Sequence, residues 1–175
     1  VVVSSGDPGV FAMASAVFEA VETGPLSWRE LDISVLPGIT AMLAAAARLG
    51  APLGHDFCVI NLSDNLKPWS IIETRLRLAM EADFAMAFYN PRSKARPEGF
   101  EKALDLLKSA CEKERLIMFA RAVSTPEESL LTVALSDATP DMADMRTMVL
   151  LGSRQTRLIS RENAAPIVYT PRSMR

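Results

Sequence analysis

The chain is poor in the residues from which metal centres and disulfide frameworks are built. Among its 175 residues there are two cysteines, Cys58 and Cys111, and a single histidine, His55. So few thiols exclude a disulfide scaffold and a cysteine-rich metal site, and one imidazole excludes a zinc site made of several; no metal is expected. An excess of charge of one sign is also missing, with 19 basic against 21 acidic side chains and a formal net charge of -2. A protein that grips a polyanion carries a basic surplus, so nucleic acid is not expected as a partner. No apolar run approaches the ~20 residues that cross a bilayer. The longest small-residue run, from Ala41 to Ala47, is interrupted only by Met42 and Leu43, stops at Arg48 and reads as a buried helix. Cys58 sits in an apolar run and Cys111 on a helical pattern, as half-buried free thiols of a reducing compartment do. The cytoplasm, with no membrane partner, is the expected location.

What is present is ordinary globular material, 49% hydrophobic and 23% charged, long enough for one large domain or two small ones. Val1-Val2-Val3 reads as a core strand running into a turn, Ser4-Ser5-Gly6-Asp7-Pro8-Gly9. Asp7 is placed to cap a helix and Pro8 suits a first helical position. Val10, Phe11, Ala14, Val17, Phe18 and Val21 then recur at helical spacing until Gly24-Pro25. Leu31 to Leu36 predicts a short strand, and Pro37-Gly38-Ile39-Thr40 turns into the alanine-rich helix. Ala51-Pro52-Leu53-Gly54 is the candidate linker.

A second alternation follows. Phe57 to Leu62 predicts a strand, and Ser70 with Glu73 predicts a capping box opening a helix. Phe84 to Tyr89 is an apolar run of the kind buried on both faces of a parallel sheet. Pro97 starts a further helix, and strands are expected at Leu116 to Ala120, Leu130 to Leu135, Thr147 to Leu151 and Pro166 to Thr170. Strands alternating with helices predict an α/β architecture with a largely parallel sheet.

In open α/β sheets ligands gather at the carboxyl ends of strands. That rule selects Ser5 to Val10, Gly38 to Ala41, Tyr89-Asn90-Pro91 and Arg121-Ala122-Val123. Gly6 and Gly9 allow close approach of the backbone to a ligand. A phosphate fits the first loop poorly, because no lysine follows the glycines and Asp7 repels anions. A cationic or hydroxyl-bearing ligand fits better. No nucleophile is identifiable, since Ser4, Ser5 and Thr40 have no histidine to pair with, and His55 reads as a polar cap rather than a partner of Asp56. The arginines Arg154, Arg157, Arg161, Arg172 and Arg175 read as a solvated or dimer-facing surface. Arg121, at a strand end, is the better ligand candidate. The nine methionines are core filler in the simplest reading.

Two loops, Ser4-Ser5-Gly6-Asp7-Pro8-Gly9-Val10-Phe11 and Leu36-Pro37-Gly38-Ile39-Thr40-Ala41, resemble the tetrapyrrole methylase family. Residues 55–64 (HDFCVINLSD), 88–93 (FYNPRS) and 151–157 (LGSRQTR) are similar to a branch of it that acts in cobalamin biosynthesis. The resemblance implies two α/β domains with mainly parallel sheets, divided here as residues 1–51 and 52–175. The first is expected to be incomplete, since family members begin with a further strand and a Gly-x-Gly-Pro-Gly loop. It implies a homodimer, S-adenosyl-L-methionine as methyl donor with S-adenosyl-L-homocysteine as product, and a precorrin-type tetrapyrrole as substrate. Carried over by position, the cofactor contacts fall on Ser5, Gly6, Asp7, Val10, Thr40 and Ala41, and on Asn90 and Ala122. Arg121 is the expected anchor for substrate carboxylates. Methyl displacement needs no protein nucleophile, whereas the contraction of the ring that the resemblance implies needs proton transfers, for which no acid or base is identifiable in the sequence. The alternatives are another precorrin or cobalt-precorrin methylase of the family, or an inactive fragment that dimerises.

Overall fold

The computed structural model describes residues 1–93 and 97–173. The chain divides into two compact units, residues 1–43 and 44–175. The first unit holds helix α1 (Met13–Thr23), a 3₁₀ turn (Leu26–Glu30) and the start of helix α2 (Ala41–Leu49), which runs on into the second. Helix α1 stops at Gly24, whose N–H donates to the Ala20 carbonyl at 2.9 Å. A Cβ on Gly24 would fall 2.4 Å from the Trp28 ring, so the turn that ends α1 requires glycine.

Three expectations for this unit are corrected. Asp7 does not cap α1, which begins six residues later with no side-chain cap. Its carboxylate instead takes N–H groups of two loops, as described below. Val1 to Val3 and Leu31 to Leu36 form no strand. A strand exists only where a neighbour takes its backbone groups, and no ladder forms among the described residues of this unit. The apolar side chains of both segments are correspondingly exposed, Val3 at 88% and Leu36 at 78%.

The second unit is built on a five-stranded sheet of β2 (Phe57–Asn61), β3 (Ala85–Tyr89), β4 (Leu116–Arg121), β5 (Ser129–Ala134) and β6 (Thr147–Leu151), in the order β2-β3-β6-β4-β5. Helices α3 (Trp69–Glu81) and α4 (Glu98–Ala110) complete it. The apolar run of β3 is buried on both faces: Ala85 to Phe88 are all 0% exposed. One face packs Met86, Phe88, Ile117, Phe119, Val149 and Leu151 against Ile72 and Leu76 of α3 and Phe100, Leu104 and Leu107 of α4. Phe100 meets Phe119 edge to face, with centroids 6.1 Å apart.

The α/β class stands, whereas the largely parallel sheet does not. Strands β2 and β3 are parallel, but β6 lies antiparallel between β3 and β4, and β5 is antiparallel to β4. No helix separates β4 from β5, so a short connection joins them as an antiparallel pair. Two 3₁₀ turns, Leu135–Asp137 and Pro140–Met142, then carry the chain to the other side of β4, where β6 is antiparallel to it as well. Strands β2, β3 and β4 point the same way, so their carboxyl ends share one sheet edge with the first residues of β5 and β6.

A second, three-stranded sheet has the order β1-β8-β7, with β1 (Gly50–Ala51), β7 (Arg157–Ile159) and β8 (Ile167–Tyr169). Gly50 has φ +131°, and a Cβ there would lie 2.5 Å from the Val168 carbonyl oxygen. The expected linker is therefore tied down. Ala51 pairs with Tyr169, and the Thr170 hydroxyl donates to the Pro52 carbonyl at 2.6 Å. The capping box is also corrected. Helix α3 starts at Trp69 behind Pro68 with no side-chain cap, and Glu73 pairs with Arg77 one turn on, at 2.8 Å.

Candidate functional site

In the first unit the turn at Ser5 to Val10 and the turn at Pro37 to Thr40 are joined by one carboxylate. Asp7 Oδ1 accepts the Gly9 N–H at 2.8 Å and Oδ2 accepts the Gly38 N–H at 3.1 Å. The two backbones touch: a Cβ on Gly38 would sit 2.1 Å from the Gly6 carbonyl oxygen. Gly6 has φ +71° and Phe11 φ +52°, a conformation that a bulky residue adopts only when its surroundings impose it. Gly6 and Asp7 thus lie against residues 38–40, and Thr40, with 5% exposure, is one of the few buried polar side chains. Ala41 opens α2 directly after it, while Ser5 and Val10 flank the braced turn.

In the second unit the candidates lie along the common strand-end edge. Asn90 follows β3 with φ +51°, and its Nδ2 donates to Asn61 Oδ1 at 3.1 Å. That oxygen also accepts the Ser63 N–H at 2.9 Å, so Asn61 links the turns after β2 and β3. Leu62, Ser63, Asp64, Asn90, Pro91 and Met145 line a hollow beside them. Ala122 follows β4 with φ +49° and donates its N–H to the Arg146 carbonyl at 2.9 Å. The loop beyond it is held by Glu128, which accepts the Ser124 N–H at 2.8 Å and pairs with Arg48 of α2 at 2.7 Å. Arg48, with help from that N–H, keeps the Glu128 carboxyl below the usual carboxylate range.

Arg121 ends β4 half-exposed, and its Nε donates to Asp144 Oδ2 at 2.7 Å. Partial burial works against ionisation of Asp144, but the Thr147 hydroxyl, Arg121 and the Arg146 N–H outweigh it and hold the carboxyl below its ordinary value. Asp144, Thr147, Asn61 and Glu128 stand at the same strand-end edge and were not singled out in the sequence. Asn61 falls within the 55–64 motif, and Asp144 with Thr147 makes an Asp-x-x-Thr spacing just before a strand.

The remaining candidates fall elsewhere. His55 Nε2 lies 2.8 Å from Ser153 Oγ, a polar contact within the fold. Cys58 and Cys111 are free and half-buried, and burial pushes the Cys58 thiol up to about 11. Arg154 grips Glu112 at 2.6 Å, while the buried Arg115 bridges Asp83 at 2.7 Å and Glu112 at 2.8 Å. Arg157 lies in the exposed strand β7, and Arg161 donates to the Ala165 carbonyl. Arg172 is exposed near the end of the described residues, and Arg175 lies outside them. No group of three potential metal ligands occurs among the described residues. None of their helices is long and apolar enough to cross a membrane.

In each unit the candidate turns offer backbone N–H and carbonyl groups, the chemistry of binding and alignment. The family described as Tetrapyrrole (Corrin/Porphyrin) Methylases matches residues 1–139, and the chain belongs to it. Its relatives narrow the likeness. It is 53% identical over 170 residues to "Precorrin-3B C(17)-methyltransferase" of Sinorhizobium sp, covering 97% of this chain and 67% of that protein. It is 38% identical over 168 residues to "Probable cobalt-factor III C(17)-methyltransferase" of Salmonella typhimurium, covering 96% of this chain and 68% of that one. The solved structure of "the methyltransferase CobJ" shares 64% identity with a TM-score of 0.91, covering 98% of this chain and 69% of the other. The fold alone is shared with a uroporphyrin-III C-methyl transferase from Thermus thermophilus "complexed with S-adenyl homocysteine", at 20% identity and a TM-score of 0.58 over 84% of this chain and 62% of that one. The chain spans about two thirds of the length of the Sinorhizobium and Salmonella relatives and 34% of the longer CobIJ proteins of Mycobacterium.

Proposed function

We propose that this chain carries out, as part of a cytoplasmic homodimer, methyl transfer from S-adenosyl-L-methionine to C17 of precorrin-3B, with contraction of the ring to precorrin-4, in cobalamin biosynthesis. The observation that carries this reading is the 64% identity and TM-score of 0.91 to the methyltransferase CobJ along 98% of the chain. The metal-free substrate is favoured over cobalt-factor III by the higher identity to the precorrin-3B enzyme, 53% against 38%.

The residues present fit the cofactor. The turns at Ser4 to Phe11 and Pro37 to Ala41 contain no lysine or arginine and hold one carboxylate, Asp7, so nothing in them repels a sulfonium cation. Bound S-adenosyl-L-methionine supplies an electrophilic methyl group that a nucleophilic ring carbon can take without a protein nucleophile. The role of Ser5, Gly6, Val10, Thr40 and Ala41 is to present backbone groups and little side-chain bulk to it. Asp7 fixes the spacing of the two turns that do so. Asn90 and Ala122 supply the corresponding main-chain positions at the strand-end edge of the second unit. Arg121 offers its guanidinium to a peripheral carboxylate of the macrocycle. Holding the acceptor in line and excluding water is the catalytic contribution of such a site.

The test is mass spectrometry of the products formed by the full-length enzyme from metal-free precorrin-3B and from cobalt-factor III. A product one methyl group heavier from precorrin-3B is expected. Turnover of the cobalt substrate alone would replace the metal-free reading, and turnover of neither would remove the C17 assignment.

A further inference from the structure

We propose that Asp144 is the positioning residue of the substrate anchor, locking Arg121 from its Nε side so that only the far edge of the guanidinium is offered to a carboxylate. The inference rests on the reading of Arg121 as that anchor and assigns the orientation of the bound group.

The geometry is a single node at the strand-end edge. Asp144 Oδ2 accepts Arg121 Nε–H at 2.7 Å, while Oδ1 accepts the Thr147 hydroxyl at 2.7 Å and the Arg146 N–H at 2.9 Å. The Asp144 N–H in turn donates to Thr147 Oγ1 at 3.1 Å, and Thr147 is only 5% exposed. The carboxylate is therefore clamped from its own turn before it meets the arginine. A guanidinium can take a carboxylate along its Nε/Nη edge or along its Nη/Nη edge, each in two parallel hydrogen bonds. Asp144 takes the Nε–H of the first with one oxygen, so that edge cannot give a second carboxylate two parallel bonds. Among the described residues the two Nη atoms have no protein acceptor. The side chain is 40% exposed, which leaves them open to a ligand. Held this way Arg121 loses little rotamer freedom on binding, the usual source of affinity from pre-organisation.

Every bond made by the Asp144 carboxylate is accepted, so an amide in its place must turn its NH₂ group either toward Arg121 or toward the Thr147 hydroxyl and Arg146 N–H together. Steady-state kinetics of the full-length enzyme with varied tetrapyrrole, and titration with S-adenosyl-L-homocysteine, test the inference on Arg121→Gln, Asp144→Asn and the double variant. Arg121→Gln is expected to raise KM for the tetrapyrrole about tenfold. Asp144→Asn is expected to raise it by a similar factor while S-adenosyl-L-homocysteine affinity stays within about twofold, and the double variant to be no worse than Arg121→Gln. Thr147→Val, which keeps the shape and loosens the clamp, should raise KM by a smaller factor and covers the case in which Asp144→Asn does not fold. An effect of Arg121→Gln without one of Asp144→Asn or Thr147→Val would overturn the positioning role and spare the anchor. Multiplying effects in the double variant, or an equal loss of cofactor affinity, would make Asp144 a general turn brace and overturn it as well. A silent Arg121→Gln would remove the anchor itself and the inference with it, leaving the methyl-transfer reading to its own test.

Discussion

Asp7 shows how a single side chain can act through the backbone it organises. Its two oxygens take N–H groups 29 residues apart, from Gly9 and Gly38, and so set the distance between two turns. Removing it leaves two amides in need of partners, each a loss of about 1 kcal/mol in typical measurements. In the full-length enzyme, Asp7→Ala should weaken S-adenosyl-L-homocysteine binding by about tenfold, and more than Arg121→Ala does. Isothermal titration of both variants gives the ranking, and the reverse order would count against the cofactor assignment of these turns. The composition around Asp7 was legible in the sequence, as were the glycines. Its bond to Gly38 was not, because a contact between residues far apart in the chain leaves no periodic trace. The helix-capping role expected from its position lost to that contact.

At the scale of elements, the strand-end edge opposes another charged assembly built into the far side of the sheet. Arg115, 5% exposed, ties the loop before β3 to the loop before β4 through Asp83 and Glu112, and Arg154 after β6 adds a second cation to Glu112. The Glu112 backbone N–H, with Arg154 and Arg115, lowers the Glu112 carboxyl to about 2. A folded-state value below the unfolded one, about 4.3, means that the stabilisation is fully present above the unfolded value and is lost as pH falls toward 2. The difference in melting temperature between the native chain and Glu112→Gln should therefore be largest near neutrality and shrink between about pH 5 and pH 2. A gap that stays constant through that range would show that Glu112 is not linked to folding. Arg154 was read from the sequence as surface charge, and its neighbours Arg115 and Glu112 drew no attention. An ion-pair set drawn from three loops becomes visible only when the sheet brings those loops together.

For the whole molecule the proposed homodimer is open to direct measurement: sedimentation of the full-length enzyme should give twice the monomer mass, and a monomer at working concentration would remove it. The sequence by itself determined what depends on neighbours along the chain. Buried strands such as β3, amphipathic helices such as α4, the glycine-marked turns and the loops that carry the family resemblance all arise from spacings of a few residues. Which strands pair, and in what sense, was decided only by the fold. The insertion of β6 between β3 and β4 turned an expected parallel sheet into a mixed one. Val1 to Val3 and Leu31 to Leu36 have strand-like composition but form no ladder among the described residues. The edge on which Asn90, Arg121, Ala122 and Asp144 meet is likewise a product of that strand order. The physical reason is common to all three. Side-chain periodicity is a local property of the chain, whereas a hydrogen-bonded ladder or an ion pair needs a second segment, and tertiary packing alone determines which segment that is.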